Sequence, residues 1–207
     1  MNDTKAGHSQ KMTGYYRFQS KIYDATRWSF LFGRKRLVRK LPIDTDAEIN
    51  ILEVGCGTGA NLLGLAKRFP KAQLIGIDVS EDMLRLSAKK TQPFANRVTL
   101  LEGYYGQLPL PTQPDVIIFS YCLTMVNPGW DKLIEQAYLD LNPGGLIGVT
   151  DFHASAVPGF KRHMGNHHVR MDGHLLPVLE QRFTSLQSEV KKAYGGVWEF
   201  LHFVGRK

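Results

Sequence analysis

The stretch Ile49-Asn50-Ile51-Leu52-Glu53-Val54-Gly55-Cys56-Gly57-Thr58-Gly59, running on through a helical segment to Leu74-Ile75-Gly76-Ile77-Asp78, decides how this chain folds. Ile51 to Val54 is short and apolar in the manner of a buried strand, and it empties into three glycines within five residues. Such a loop turns tightly and lets main chain approach a ligand. From Thr58 to Phe69 the residues Leu62, Leu65 and Ala66 share one side, which predicts a helix whose N-terminal amides face whatever the loop holds. Nineteen residues after Gly59, Asp78 closes a second apolar strand, where a carboxylate can accept hydrogen bonds from both hydroxyls of a ribose. The unit is a nucleoside-binding half.

Two ligands suit this geometry, since Gly55-x-Gly57-x-x-Ala60 also satisfies the loose dinucleotide fingerprint. Glu53, two residues before the first glycine, and the third glycine at 59 separate them. This acidic-x-Gly-x-Gly-x-Gly order resembles the first motif of class I S-adenosylmethionine-dependent methyltransferases. Asp78-Val79-Ser80-Glu81-Asp82-Met83-Leu84 resembles the second motif of that family, and Leu139-x-Leu141-Asn142-Pro143-Gly144-Gly145 the turn before its fifth strand. The resemblance implies S-adenosyl-L-methionine as cofactor, held by the loop of Gly55, Gly57 and Gly59. Glu53 would lie near the methionine moiety, Asp78 on the ribose and Met83 against adenine, with Val79, Ser120 and Tyr121 as further contacts. One departure is Tyr104, which stands after Gly103 where the family has an acid. The adenine amino group would then be read there by main chain or by another residue.

Along the chain, a polar tail over residues 1–13 precedes helices expected over 14–26 and 28–41, which end at Pro42 and the acidic linker Asp44 to Glu48. Strands are expected at 49–54, 73–78, 98–101, 115–120 and 146–151, with helices near 58–69, 80–90 and 130–141 between them. That alternation predicts a parallel α/β sheet with its ligand crevice at the carboxyl ends of the strands. Arg182 to Tyr194 and Val197 to Arg206 are strand-like runs joined through Gly195-Gly196, hence a hairpin. The expected architecture is a Rossmann-like, mostly parallel seven-stranded sheet with a C-terminal antiparallel hairpin. Residues 14–48 form a basic aromatic helical cap, and 49–207 form the S-adenosylmethionine-binding domain.

The formal net charge of +7 is carried by the segment Tyr15 to Lys40, which holds eight basic residues against the single acid Asp24. Its aromatics, among them Tyr15, Tyr16, Phe18, Tyr23, Trp28, Phe30 and Phe32, are interleaved with the charges. Helices that meet an anionic surface have this composition, and so do helices that dock on a core with a solvated basic face. The two cysteines, Cys56 and Cys122, suit a reducing cytosol, and the eleven-residue apolar run Val116 to Val126 is too short to cross a bilayer. The expected location is cytoplasmic, with peripheral attachment to the inner face of the membrane as an option. Nothing in the sequence sets an oligomeric state.

Methyl transfer from a sulfonium is an in-line displacement, so the protein chiefly aligns and desolvates a neutral nucleophile. Candidates sit after strand four (Ser120, Tyr121, Met125), after strand five (Asp151, His153) and in the cap (Tyr16, Tyr23). The Asn/Asp-Pro-Pro-Tyr signature of nucleobase amino-group methylation is absent at Ser120-Tyr121-Cys122-Leu123, and the Pro-Cys nucleophile of cytosine-ring enzymes is absent too. Nucleic acid is therefore not the expected partner. His163, His167, His168 and His174 suggest a metal, but adjacent histidines point apart and no cysteine or acidic triad joins them, so none is expected.

Several longer motifs resemble the N-methyltransferases that make betaine lipids by trimethylating diacylglyceryl-homoserine. They are Tyr15-Tyr16-Arg17-Phe18-Gln19-x-x-Ile22-Tyr23-Asp24-Ala25-Thr26-Arg27, Leu31-Phe32-Gly33-Arg34, Asp151-Phe152-His153, His168-Val169-Arg170-Met171-Asp172-Gly173-His174 and Ala193-Tyr194-Gly195-Gly196-x-Trp198. The resemblance implies a lipid amine acceptor at an anionic membrane surface. Tyr23 and His153 are the candidate catalytic residues, as acceptors of the amine proton. Tyr16, Arg27, Arg34, Met125, His168, Arg170, His174 and Tyr194 are the candidate substrate contacts. A soluble amine or acid acceptor is the alternative, with the cap then acting only as a lid.

Overall fold

A computed structural model of the protein describes residues 31–207. Seven strands form one sheet in the order β3-β2-β1-β4-β5-β7-β6. They are β1 (Asn50–Val54), β2 (Gln73–Asp78), β3 (Val98–Glu102), β4 (Val116–Ser120), β5 (Leu146–Phe152), β6 (Thr184–Ala193) and β7 (Trp198–Arg206). The first five are mutually parallel, and β7 runs antiparallel to both β5 and β6. This is the Rossmann-like fold with a terminal hairpin that the sequence predicts. The order reverses beside β1, so the glycine loop leaves the sheet at its topological switch point.

Alternation along the strands divides the core into two layers, because successive side chains point to opposite faces. Ile51, Leu74, Val116, Ile118 and Val204 lie on one face with helices α1 (Arg34–Lys40), α2 (Ala60–Arg68) and α3 (Glu81–Thr91). Leu52, Val54, Ile75, Ile77, Ile117, Phe119 and Val149 lie on the other, with α4 (Trp130–Asp140) and α6 (Leu175–Arg182). Helix α1 packs through Leu37, Val38 and Leu41 against this core and ends just before Pro42. Residues 34–48 are thus built onto the same body as the sheet. Among the described residues, no helix is long and apolar enough to cross a membrane.

Two helices depart from the sequence expectation. The stretch between β5 and the hairpin, where the sequence reading places no helix, contains α5 (Pro158–Asn166) and α6. Helix α6 hides from a propensity reading because Pro177 stands inside it; a proline within the first turn forfeits only an N–H that has no partner in the helix. Its Leu175 and Leu179 are buried against the core, and tertiary burial decides the outcome. The helix expected over 28–41 is shorter among the described residues, beginning at Arg34 behind Gly33, whose φ is 85°. The helix expected over 14–26 lies outside the described residues.

Candidate functional site

Gly55, Gly57 and Gly59 all take the left-handed backbone, with φ of 68°, 52° and 73°. A Cβ on Gly55 would stand 2.8 Å from the Cys122 sulfur, whereas a Cβ on Gly57 would meet nothing within 4 Å. The middle of the loop therefore presents bare main chain to open space, as a cradle for a ligand requires. Asp78 stands across from it at the end of β2. Its Oδ2 accepts from the Gly57 N–H at 2.8 Å and its Oδ1 from the Ser80 N–H at 3.0 Å, which fixes the carboxylate. Ser80 caps α3 by accepting from the Met83 N–H at 3.4 Å.

Glu53 lies beneath the loop, 1% exposed. Its Oε1 accepts from Asn61 Nδ2 at 2.7 Å, while Oε2 is buried without a hydrogen-bond partner. Arg34 donates through Nε to Asn61 Oδ1 at 3.3 Å. Burial pushes the Glu53 carboxyl up to about 7, against the opposing pull of the Arg34 charge and the Asn61 hydrogen bond. A buried acid with one orphaned oxygen suits an incoming cation. Open main chain at Gly57, the fixed Asp78 carboxylate and the orphaned Glu53 oxygen together fit an aminoacyl nucleoside such as S-adenosylmethionine. A dinucleotide pyrophosphate has no group that would satisfy Glu53.

The other expected cofactor contacts occupy the same rim. Val79 is 46% exposed beside Asp78, and Tyr104, after β3, is 59% exposed. Met83 is buried at 4% exposure, so only an edge of its side chain could meet a ligand. Ser120 ends β4 with its Oγ buried and unpartnered. Tyr121, at φ 55°, donates its phenol to the Phe32 carbonyl at 2.7 Å; burial first, then the charge of Asp151, pushes its pKa up. It is a clasp between β4 and the segment before α1, and it stays protonated. Cys56 is likewise pushed up, chiefly by burial, and remains a thiol.

Asp151, wholly buried at the end of β5, organises the loop after β4. Its oxygens accept from Thr124 Oγ1 at 2.5 Å and from the N–H groups of Phe152, Cys122 and Thr124 at 2.8, 3.0 and 3.3 Å. The carboxyl is pushed up to about 6 by burial, and those four donors hold it from going further. The loop after β4, which carries Met125, thereby takes its shape from β5. Thr124 and Asn61, which bind the buried acids Asp151 and Glu53, are positions that sequence reasoning missed. Their signal, a small polar residue opposite a strand-end acid, depends on three-dimensional pairing and is invisible along the chain.

The motifs spread over the last third of the sequence meet at this rim. Ala154 forms an isolated antiparallel bridge with Asp172, the Gly173 N–H donates to the His153 carbonyl at 2.8 Å, and the His153 N–H donates to the Glu199 carbonyl at 2.8 Å. Phe152 and Trp198 have ring centroids 5.0 Å apart, and Tyr121 and Phe152 4.8 Å. Phe32 packs on Tyr194, at the hairpin turn, with centroids 5.4 Å apart, and on Trp198 at 5.7 Å. The three edge-to-face pairs among these, Tyr121–Phe152, Phe32–Tyr194 and Phe32–Trp198, add about 0.5–1.5 kcal/mol each beyond their buried area.

Of the expected substrate contacts, Met125, Arg170, His174 and Tyr194 stand on this rim or the segment bridged to it. His168, at φ 63°, is exposed on that segment, its carbonyl accepting from Asn127 Nδ2 at 3.3 Å. Arg34, also expected as a substrate contact, stands against Asn61 beside Glu53. Tyr16, Tyr23 and Arg27 lie outside the described residues. Among the described residues, no three histidine, cysteine, aspartate or glutamate side chains gather as metal ligands.

Residues 51–145 match the family model described as a methyltransferase domain. Over 134 residues, 64% of this chain, the sequence is 36% identical to malonyl-[acyl-carrier protein] O-methyltransferase from Priestia megaterium, of which it covers 48%. The chain spans about half the length of the curated relatives it matches. The N-methyltransferase NodS from Bradyrhizobium japonicum, solved with S-adenosyl-L-homocysteine, superposes with a TM-score of 0.67 at 21% identity, over 84% of this chain and 85% of that one. Phosphoethanolamine N-methyltransferase 2 from Haemonchus contortus, with phosphomonomethylethanolamine and S-adenosylhomocysteine, gives 0.75 at 15% identity, over 93% and 58%. Residues 51–145 are thus similar to methyltransferase domains, and the sheet shares its fold with solved methyltransferases.

Proposed function

We propose that this protein N-methylates a lipid amine at an anionic membrane surface, converting diacylglyceryl-homoserine to its trimethylated betaine. The observation that supports this reading is the convergence of Phe32, Phe152, His153, Asp172 to His174, Tyr194 and Trp198 around the end of β5 and the start of β7. These residues belong to the motifs that resemble those of betaine-lipid N-methyltransferases. When bound, S-adenosylmethionine supplies an electrophilic methyl on a sulfonium. Aromatic faces suit an acceptor nitrogen that ends as a quaternary ammonium, since ring quadrupoles attract a cation that has no N–H to donate. Two of the structural neighbours are themselves named for N-methylation.

The test is incubation of the protein with methyl-labelled S-adenosylmethionine and vesicles of anionic phospholipid containing diacylglyceryl-homoserine, followed by mass spectrometry of the lipid. Three successive methyl increments are expected on the headgroup nitrogen. An unlabelled lipid would overturn the assignment. The second reading keeps the cofactor and makes the acceptor a soluble amine or acid. It is favoured by the match to an enzyme named malonyl-[acyl-carrier protein] O-methyltransferase, and by the absence of any acid between Asp151 and Asp172, a stretch that carries Lys161, Arg162 and Arg170. Efficient methylation of a soluble acceptor with no sedimentation on anionic liposomes would select it.

A further inference from the structure

His174 is held by an acid and has its other ring nitrogen unused. Its Nδ1 lies 2.5 Å from Asp172 Oδ1, the side chain is 7% exposed, and Nε2 is buried with no hydrogen-bond partner. Asp172 is itself fixed, since its Oδ2 accepts from Arg170 Nε at 2.7 Å and its Oδ1 also receives the His174 N–H at 3.3 Å. The Trp130 ring, at the start of α4, packs edge-on against the imidazole at 4.6 Å. His153 stands on the far side of Gly173: a Cβ on that glycine would come within 3.2 Å of the His153 ring, whose Nδ1 is also buried and unpartnered.

A carboxylate on one imidazole nitrogen places the proton there and leaves the lone pair on the other. A buried imidazole of purely structural role would be expected to spend both nitrogens on partners, because an unsatisfied buried polar atom costs about 1–3 kcal/mol.

We propose that His174 is the base that takes the proton from the acceptor, with Asp172 as its positioning residue and His153 as its neighbour across Gly173. This rests on the N-methylation reading above. In each round the acceptor ammonium gives one proton to His174 Nε2 and keeps the freed lone pair on nitrogen. That pair forms the new N–CH3 bond as the S–CH3 bond breaks, and the electrons of the broken bond stay on sulfur, leaving a neutral thioether. The proton leaves His174 for solvent before the next round. Burial holds His174 below the usual histidine range, opposed by its hydrogen bond and charge pairing with Asp172, so the ring is neutral and receptive at neutral pH. The charged or titratable groups facing it are Asp172 and Arg170 from its own segment and His153 from the end of β5, while α4 contributes the uncharged Trp130.

Two measurements decide the proposal. Nitrogen NMR of the histidine rings in the full-length protein needs no acceptor. The expected His174 signal is the Nδ1–H tautomer with a bare Nε2 at neutral pH, lost in Asp172→Asn. A His174 ring that exchanges between both tautomers and titrates as a free imidazole would overturn the dyad. In single-turnover assays with diacylglyceryl-homoserine vesicles, His174→Gln is expected to slow transfer about 100-fold or more. The acidic limb of the pH profile should vanish, S-adenosylmethionine affinity by calorimetry should stay unchanged, and His153→Gln should shift the limb without removing it. A His174→Gln protein that is folded by circular dichroism and keeps both rate and pH limb would overturn the proposal while leaving the acceptor assignment intact. No transfer to the lipid by the unmodified protein would instead overturn the acceptor, and the tautomer measurement would still decide the dyad.

Discussion

Asn61 Nδ2 donates to Glu53 Oε1 at 2.7 Å, and the same amide accepts from Arg34 through its Oδ1, so one side chain on α2 joins a buried acid to a cation on α1. The relay leaves Glu53 Oε2 for a ligand cation. Burial raises the Glu53 pKa to about 7, so a protonated Glu53 must release its proton when it receives the amino group of the cofactor. Without ligand, this residue makes the fold lose stability as pH climbs from the ordinary carboxylate range to about 7, because the unfolded chain ionises first. With ligand, the sign reverses. S-adenosylmethionine affinity should rise with pH up to about 7, at most about tenfold per pH unit, and then level off. Calorimetry at pH 6 in two buffers of different ionisation enthalpy should show proton release, and Glu53→Gln should abolish both the release and the slope. Equal affinity of the unmodified protein at pH 6 and pH 8 would remove Glu53 from the amino group.

Asp78 carries two duties that a single substitution should separate. Asp78→Ala loses the acceptor for the ribose hydroxyls, at about 1.5–3 kcal/mol per charge-assisted hydrogen bond, and strands the N–H groups of Gly57 and Ser80. Cofactor affinity should fall about tenfold or more, accompanied by a loss of about 1–3 kcal/mol in denaturant unfolding. NAD should not bind to either protein. Unchanged S-adenosylmethionine affinity in the variant would reassign the loop.

How far the sequence could be read depends on whether the relevant partners are neighbours along the chain. Ile51 to Gly59 and Leu74 to Asp78 declare themselves because strand, loop and acid follow one another in order, and β2 spans the residues expected of it. Asn61 is equally close in sequence to Glu53, yet its role requires knowing that the first turn of α2 passes over the end of β1. In the sequence Arg34 stands in a run of cations and in a motif that implies an acceptor contact, whereas the packing of α1 on α2 that brings it against Asn61 is not written along the chain. Helices α5 and α6 escaped because their burial comes from segments distant in sequence. Phe160 and Met164 pack beside Phe152 and Trp198, and Leu179 packs in the core that contains Phe203.

Tyr121 tests whether the segment before α1 is clasped to the sheet by a single hydroxyl. Tyr121→Phe removes the bond to the Phe32 carbonyl and leaves the packing against Phe152 unchanged. Because Thr150 Oγ1 also donates to that carbonyl at 3.4 Å, the loss should be modest, about 0.5–1.5 kcal/mol. Hydrogen exchange should quicken at residues 32–36 and nowhere on β1 or β2. A uniform change across the sheet would mean that the phenol serves the core instead.

Asp151 should tolerate neither charge removal nor an added donor. In Asp151→Asn an amide NH2 replaces one oxygen and faces N–H groups from Thr124, Cys122 or Phe152, so two donors point at each other. A destabilisation of about 2–4 kcal/mol is expected from the lost acceptor and the stranded buried groups. Chemical denaturation of the variant at pH 7 measures it. A loss below about 0.5 kcal/mol would show that the loop after β4 holds its shape without this carboxylate.

Membrane attachment can be tested without disturbing the crevice, because the structure divides the cations of α1. Arg34 serves Asn61 and Arg36 is bonded to Glu189 at 2.7 Å, whereas Lys35, Arg39 and Lys40 are exposed. Each basic side chain beside a negatively charged bilayer contributes about 1 kcal/mol, so the triple change Lys35→Gln, Arg39→Gln and Lys40→Gln should weaken liposome binding by about 3 kcal/mol. Sedimentation with anionic vesicles should show that loss at low salt. S-adenosylmethionine affinity should stay the same, because none of the three approaches Glu53 or the glycine loop. Adding Arg34→Gln should then lower cofactor affinity as well, since it removes the cation that steadies the Asn61 relay. Full liposome binding by the triple variant would place the membrane contact elsewhere, and loss of cofactor affinity in it would show that α1 acts on the crevice as one unit.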